Sequence, residues 1–266
     1  MPLEIFGYIA SVCIGLILGL LGGGGSILSI PILVYLFHID IVLASAYSLF
    51  IVGTTSLVGA ISKYREHLLN IRTGLLFGIP SIITTFVTRR WIVQAIPDRI
   101  FETDSIVVTK HELLLGLFAM LMILASVSMI RDRQEVIHEE DGIRTVWLIV
   151  QGMLIGFLTG LVGAGGGFLI IPALIILTGL NFRTAVGTSL FIISINSFSG
   201  FLGDLMNYHM NWRFLGTITL LAITGILIGT RLANRISPGN LRKFFGWFVL
   251  AMGSLILTSE VMGSFK

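Results

Sequence analysis

Runs of glycine interrupt two long apolar stretches, and their position is the feature of the sequence best suited to binding a ligand. The first run covers residues 22–25, and the second covers residues 163–167, where Ala164 stands among four glycines. Because glycine is a poor helix former, each run predicts a break between two helices. A helix that begins at such a break presents free backbone N–H groups and the positive end of its dipole, which together favour an anion.

Hydroxyl and amide side chains recur on the C-terminal side of both glycine runs. Ser and Thr in membrane helices often bond to their own backbone, so each hydroxyl taken alone also fits a purely structural role. Glycines spaced by three residues are typical of close helix packing, which we expect for Gly15, Gly19, Gly156 and Gly160. The predicted substrate-binding residues are Gly24, Gly25, Ser26, Ser48, Gly165, Gly166, Gly167, Ser189 and Asn196.

The remaining polar residues do not predict an enzyme, a metal site or a cofactor. The five histidines are scattered, and none has a metal-ligand spacing such as HExxH. Acidic residues are nearly absent from the apolar stretches, and we expect Asp204 and Glu260 at the membrane interface. Lys63, Arg65 and Glu66 are expected to form a solvated loop cluster. The single cysteine, Cys13, cannot form an internal disulfide and is expected to be a small core residue.

The composition indicates a polytopic membrane protein. Of the 266 residues, 55% are hydrophobic and 12% are charged, whereas about a quarter of the residues in an average soluble domain are charged. The mean hydropathy is +0.97. A net charge of +3 is too small to suggest nucleic acid as a partner, and the excess Lys and Arg fit the cytoplasmic face of a membrane better.

The apolar stretches predict an all-α architecture with two kinds of membrane segment. Ordinary spans of about 20 residues are expected near 41–61, 72–88, 112–130, 183–203, 213–230 and 241–262. The stretches 5–38 and 146–180 are too long for one crossing and short for two. Each therefore predicts a pair of helices hinged at its glycine run, with a re-entrant hairpin as one form of that pair.

Polar segments separate these elements. The most charged one predicts a linker at 131–145 between a first transmembrane repeat, 1–130, and a second one, 146–266. A second polar stretch at 97–110 is expected in water or along the lipid headgroups.

The two parts of the chain are copies of one another. An offset of 141 aligns residues 15–59 with residues 156–200 without a gap, and 18 of the 45 aligned positions are identical. Among the proposed site residues, Ser48 aligns with Ser189, and Ser56 aligns with Ser197 in the same way. The sequence therefore predicts two halves that arose by duplication.

Counting the crossings predicts that the halves are inverted relative to each other. A hinged pair contributes zero or two net crossings and three ordinary spans follow it, so each half crosses an odd number of times. The inverted arrangement divides the Lys and Arg residues 11 to 6 between the two sides, whereas a parallel one divides them 9 to 8. The positive-inside rule then predicts a cytoplasmic linker and two external termini.

The repeated motif resembles that of the sulfite exporter TauE/SafE family of membrane permeases. In the first half the pattern is GLLGGGG at 19–25 followed by Pro31, Ala44 and Ser48-Leu49, and in the second it is GLVGAGGG at 160–167 followed by Pro172, Ala185 and Ser189-Leu190. The resemblance covers nearly the whole chain. It implies transport of small sulfur-containing anions, such as sulfite or sulfonates, across the cytoplasmic membrane of a bacterium or archaeon.

Two functions from different classes fit these observations. The first is a multi-pass secondary permease of the inner membrane, which carries a small anion by alternating access around the two broken helices. Its expected partners are the anion, the lipid bilayer and a coupling proton or other ion. The second is an integral membrane scaffold or assembly subunit whose glycines serve packing alone.

Overall fold

The computed structural model describes residues 2–97, 99–103, 106–130, 141–162, 167–205, 208 and 210–264. Apart from short connecting turns and one short hairpin, these residues are helical, which agrees with the predicted all-α membrane architecture. Within them, six helices are long and apolar enough to cross a membrane, namely Ile41–Arg65, Ile71–Ala95, Thr145–Val162, Phe182–Leu205, Trp212–Ala233 and Pro238–Thr258.

Each predicted span coincides with a helix, and each hinged stretch contains two. In chain order the elements are α1 (Pro2–Leu21), α2 (Gly24–Pro31), a π-helical segment (Ile32–Leu36), α3 (Ile41–Arg65), α4 (Ile71–Val87), a second π-helical segment (Thr88–Ile92), α5 (Val93–Ala95), β1 (Arg99–Thr103), β2 (Ile106–Thr109), α6 (Lys110–Ile130), α7 (Asp141–Val162), α8 (Gly167–Thr178), α9 (Phe182–Leu205), α10 (Trp212–Ala233) and α11 (Pro238–Ser264).

The first hinged stretch folds back on itself as a hairpin. Gly22 ends α1 in the left-handed region, with φ at +72°, and its N–H donates to the carbonyl of Leu18 at 2.8 Å. After α2, Phe37 packs against the start of α1, where its ring centroid lies 5.6 Å from that of Tyr8. Both ends of this helix pair therefore lie at the same end of the molecule.

The second hinged stretch also returns to its starting end. Thr145 and Leu148 near the start of α7 line a cavity together with Thr178 and Leu180 at the end of α8. Residues 163–166, between α7 and α8, lie outside the described residues, as do residues 131–140 of the predicted linker.

The glycines with a predicted packing role hold helices of opposite halves together. A Cβ on Gly15 would overlap the carbonyl of Ala222 in α10, and one on Gly156 would overlap the carbonyl of Ser81 in α4. Gly19 and Gly160 make the corresponding contacts one turn later. Because Ala222 and Ser81 differ by the repeat offset of 141, the α1–α10 and α7–α4 contacts are equivalent.

The centre of the molecule is the pair α3 and α9, which run in opposite directions. The backbone N–H of Asn70, just beyond α3, donates to Thr188 Oγ1 near the start of α9 at 3.0 Å. At the other end a Cβ on Gly200 would lie 3.0 Å from the side chain of Leu49. We refer below to the Lys63 end, where α3 ends and α9 begins, and to the Asp204 end, where α9 ends and α3 begins.

The polar stretch after α5 contains an antiparallel hairpin that the sequence analysis did not predict. Strand β1 pairs with β2, with Arg99 opposite Thr109. Both strands are rich in residues that favour extended structure, such as Ile106 and Val107. The hairpin precedes α6 and does not alter the helical architecture.

Candidate functional site

The first glycine run forms a buried helix start that no side chain caps. Gly23 is the N-cap residue of α2, and among the described residues no side chain accepts a hydrogen bond there. Gly22, Gly25 and Ser26 are buried. The Ser26 hydroxyl donates to the carbonyl of Gly23 at 2.7 Å, so it does not cap the N–H groups. A buried helix start of this kind leaves backbone donors that a ligand can satisfy.

The two hinged pairs meet where their second helices begin. A Cβ on Gly23 would overlap the carbonyl of Gly167, the first residue of α8. Conversely, a Cβ on Gly167 would lie 2.6 Å from the Cα of Gly23. The starts of α2 and α8, both predicted to face the anion, are therefore adjacent. Gly165 and Gly166, which belong to the same prediction, lie outside the described residues.

Gly25 has a packing role that the sequence analysis did not assign to it. A Cβ at this position would overlap the carbonyl of Ile14 and lie 2.5 Å from the backbone nitrogen of Leu18, both in α1. A larger side chain at Gly25 would therefore push α2 away from α1. Substitutions at Gly25 test this packing together with any role in binding.

The predicted hydroxyls are buried, but they have different partners. Ser48 of α3 shares a hydrogen bond with Ser29 of α2, and both side chains are inaccessible to solvent. Ser189, the repeat equivalent of Ser48, donates to the carbonyl of Val186 in its own helix at 2.8 Å. Ser48 therefore connects the first hinge to the central helix pair. Ser29 is not among the predicted substrate-binding residues. Its spacing of three residues from Ser26, which places both on one face of α2, is the sequence signal that could have identified it.

The side chain of Asn196 forms a hydrogen bond between the two halves, and its other polar atom is a buried acceptor. Its Nδ2 donates to Ser81 Oγ of α4 at 2.6 Å, while its Oδ1 is buried without a hydrogen-bond partner among the described residues. The hydroxyls of Ser56 and Ser197 are also buried without a hydrogen-bond partner among the described residues. Buried polar groups are nearly always paired in folded proteins, so each of these atoms is a candidate for contact with a ligand or water.

An ion pair at the Asp204 end is completely buried within the protein. Arg89 is 0% exposed and Asp204 is 1% exposed, and Arg89 Nη2 lies 3.3 Å from Asp204 Oδ2. Nη2 also donates to Ser45 Oγ at 2.6 Å. The contact involves the second π-helical segment, which sequence periodicity does not reveal, and joins residues 115 positions apart in the chain.

The cluster at the Lys63 end is also less solvated than expected. Lys63 is only 3% exposed, and its Nζ donates to Glu66 Oε2 at 2.7 Å and to Asn234 Oδ1 at 3.1 Å. Asn234 follows α10 in the second half of the chain, so its approach to Lys63 depends on the tertiary fold. The side chain of Glu66 is 32% exposed and keeps access to water.

A basic cavity opens at the Lys63 end and approaches the first hinge. Its volume is about 370 Å³, and its lining includes Asn181, Arg183, Arg242 and Lys243. A second, small cavity of about 10 Å³ shares Phe182 and Arg183 with it and is also lined by Lys63 and Val186. The side chain of Val186 would lie 2.8 Å from a Cβ on Gly22, so this small cavity lies close to the first glycine run.

Metal-ligating side chains do not cluster in the part of the chain that the structure describes. No group of three or more His, Cys, Asp or Glu residues is found there. Cys13, expected in the core, is instead exposed on α1. In a membrane helix an exposed apolar position faces lipid, so the apolar run around Cys13 predicts burial in the membrane rather than in the protein.

Comparison with known proteins identifies the family. The sequence profile described as "Sulfite exporter TauE/SafE" matches residues 8–256. A "Probable membrane transporter protein" of Xylella fastidiosa is 29% identical, over 92% of this chain and 91% of that protein. "Probable membrane transporter protein YdhB" of Bacillus subtilis is 27% identical, over 92% and 96%. A protein of the same description from Methanocaldococcus jannaschii is 26% identical, over 92% and 94%.

No solved structure matches the chain. The relatives come from bacteria and an archaeon, and each match spans nearly the full length of both proteins. The family profile covers both glycine runs, the central helices and the packing helices described above. The chain is a multi-pass membrane protein and belongs to the sulfite exporter TauE/SafE family of membrane transporters.

Proposed function

We propose that this protein is a secondary transporter that moves a small sulfur-containing oxyanion, such as sulfite or an organosulfonate, across the inner membrane. The observation that carries the proposal is the buried, uncapped start of α2 in contact with the start of α8. Two helix dipoles and their free N–H groups can hold an anion there without a cationic side chain at the hinges. The family name supports a sulfur oxyanion as the first candidate.

Alternating access would follow from an inverted arrangement of the two halves. Two observations support that arrangement, namely the opposite directions of α3 and α9 and the equivalence of the α1–α10 and α7–α4 contacts. A twofold axis that relates two antiparallel central helices lies in the plane of the membrane. Rocking of one half against the other would then open the shared hinge region to each side in turn.

The Lys63 end is the cytoplasmic end in this proposal. Its basic cavity and the larger share of Lys and Arg residues fit the positive-inside rule. Helix α7, which follows the predicted linker in the sequence, begins at the same end. Both termini are then external, and the coupling ion is a proton or another small ion.

The proposed function is tested by measuring flux in proteoliposomes. Purified protein is reconstituted, and uptake of radiolabelled sulfite, sulfate and a small sulfonate is followed with and without a pH gradient. Saturable uptake of one of these anions is expected, and dependence on the gradient would identify a proton as the coupling ion. Absence of uptake by correctly folded protein would favour the alternative, a membrane scaffold.

A pair of glycine variants tests whether anion transport depends on the contact between the two hinges. In Gly23→Ala the new Cβ would overlap Gly167, whereas the Cβ in Gly216→Ala meets nothing within 4 Å. We expect Gly23→Ala to lower uptake at least about tenfold, because contact between the hinges is lost, and Gly216→Ala to retain it. Equal uptake by both variants would contradict the assignment of the site to the hinges.

A further inference from the structure

We propose that Arg89 is a direct contact for the transported anion, and that Asp204 is the anion that occupies Arg89 while no substrate is bound. The inference rests on the proposed transport function and adds to it a cationic binding residue. The glycine runs by themselves predict an anion held by helix ends alone. The chemical class of the ligand stays the same, a small oxyanion with several acceptor oxygens.

The hydrogen bonds of Arg89 are incomplete although its side chain is fully buried. Its Nε and Nη1 have no hydrogen-bond partner among the described residues. Asp204 Oδ2 lies 3.3 Å from Nη2, yet this oxygen has no aligned hydrogen bond. A buried guanidinium with unsatisfied donors is costly. An oxyanion can turn its oxygens toward these donors more freely than a carboxylate fixed to α9.

Arg89 belongs to a segment that packs against α7, the helix that precedes the second glycine run in the sequence. Arg89 lies in the π-helical segment Thr88–Ile92, and such segments occur frequently at functional sites. A Cβ on Gly160 of α7 would lie 2.7 Å from Thr88 Cβ, and α7 ends only two residues later at Val162. The segment that carries Arg89 therefore packs against the last turns of α7, while the guanidinium contacts Ser45 and Asp204.

An exchange of anions at Arg89 would couple binding to movement of α9. Asp204 is on α9 and Arg89 follows α4, so their contact joins the two halves at the Asp204 end. When an anion takes the guanidinium, Asp204 is released from Arg89. Lys110, at the start of α6, also acts electrostatically on Asp204. Binding of the substrate then weakens the link between α4 and α9.

Anion affinity in purified variants tests the exchange. Binding of radiolabelled sulfite, sulfate and a small sulfonate is measured at equilibrium in detergent. Asp204→Asn removes the competing carboxylate, so the anion should bind about tenfold more tightly than it binds the unaltered protein. In the double variant R89Q/D204N the buried pair is neutral, so the protein should stay folded. It should bind the anion about 10- to 100-fold more weakly than D204N does.

The neighbouring arginine provides a matched control. Arg90→Gln removes the same charge one position further along, at a partly exposed residue, and should leave the affinity unchanged. If R89Q/D204N binds the anion as tightly as D204N, Arg89 is not a substrate contact and the inference is wrong. If the unaltered protein transports none of the anions, the proposed function fails. Transport that is independent of Arg89 refutes this inference alone.

Discussion

The two ends of the central helix pair carry ionisable residues at the same repeat position, but with opposite charge. Lys63 and Asp204 differ by the offset of 141 that relates the two halves. Both are buried, yet Lys63 has Glu66 as a partly exposed partner, whereas Asp204 has the fully buried Arg89. One end therefore retains contact with water, and the other is sealed by protein.

The packing glycines, unlike the charged residues at the two ends, are the same in both halves. Gly15 and Gly156 make equivalent backbone contacts in the two halves, and Gly59 and Gly200 make equivalent contacts with leucine side chains, Leu190 and Leu49. Arg89, by contrast, aligns with Thr230, whose hydroxyl donates to the carbonyl of Ile226 in its own helix at 2.9 Å. Duplication thus kept the helix contacts symmetric while the charged residues at the ends came to differ. A transporter with distinguishable sides needs such a difference.

The largest expected effect is a difference in the free energy of unfolding between variants at the two ends. Asp204→Leu leaves the buried Arg89 without a carboxylate and should lower the free energy of unfolding by about 3–5 kcal/mol. Lys63→Leu leaves Glu66, whose side chain is 32% exposed, so the loss should be about 1 kcal/mol or less. Unfolding curves in detergent compare the two variants.

The double variant R89L/D204L serves as the control for this comparison. It removes both buried charges and should recover much of the stability lost in Asp204→Leu, because an apolar pair avoids the desolvation penalty. Equal losses in Asp204→Leu and Lys63→Leu would show that the ends do not differ in burial as described.

A smaller effect is expected when the positive charges of the basic cavity at the Lys63 end are removed, because these charges attract the anion. Replacing Arg183, Arg242 and Lys243 by Gln together should raise the half-saturation concentration for the anion about three- to tenfold at low salt. The maximal rate should change little, because these residues are away from the hinges. Raising the concentration of an inert salt should shrink the difference.

Arg213 provides the comparison from the opposite end. It lies in the first turn of α10 at an exposed position, and Arg213→Gln should leave the half-saturation concentration unchanged. A similar rise in this variant would indicate a general effect of net charge rather than attraction by the cavity. Flux in proteoliposomes at two salt concentrations distinguishes the two results.

The parts of this molecule that the sequence predicted depend on local properties. The breaks at Gly22 and after Val162 follow from the helix propensity of glycine, and the spans follow from apolar length. The Arg89–Asp204 pair depends on contacts between distant segments, and its π-helical segment has no sequence signature. Lys63 looked like a loop residue because its partner Asn234 lies 171 positions away.

The smallest expected effect concerns a feature that both ends share. Asn70 caps α4 at the Lys63 end by accepting from the N–H of Thr73 at 3.0 Å. Asn211, its repeat equivalent, caps α10 at the Asp204 end by accepting from the N–H of Phe214 at 3.2 Å. Each Asn→Ala change should lower the free energy of unfolding by about 1 kcal/mol. Because the caps lie at opposite ends, the two losses should add in the double variant. Unfolding curves of the three variants test this, and a loss confined to one cap would show that the asymmetry of the ends extends to their helix starts.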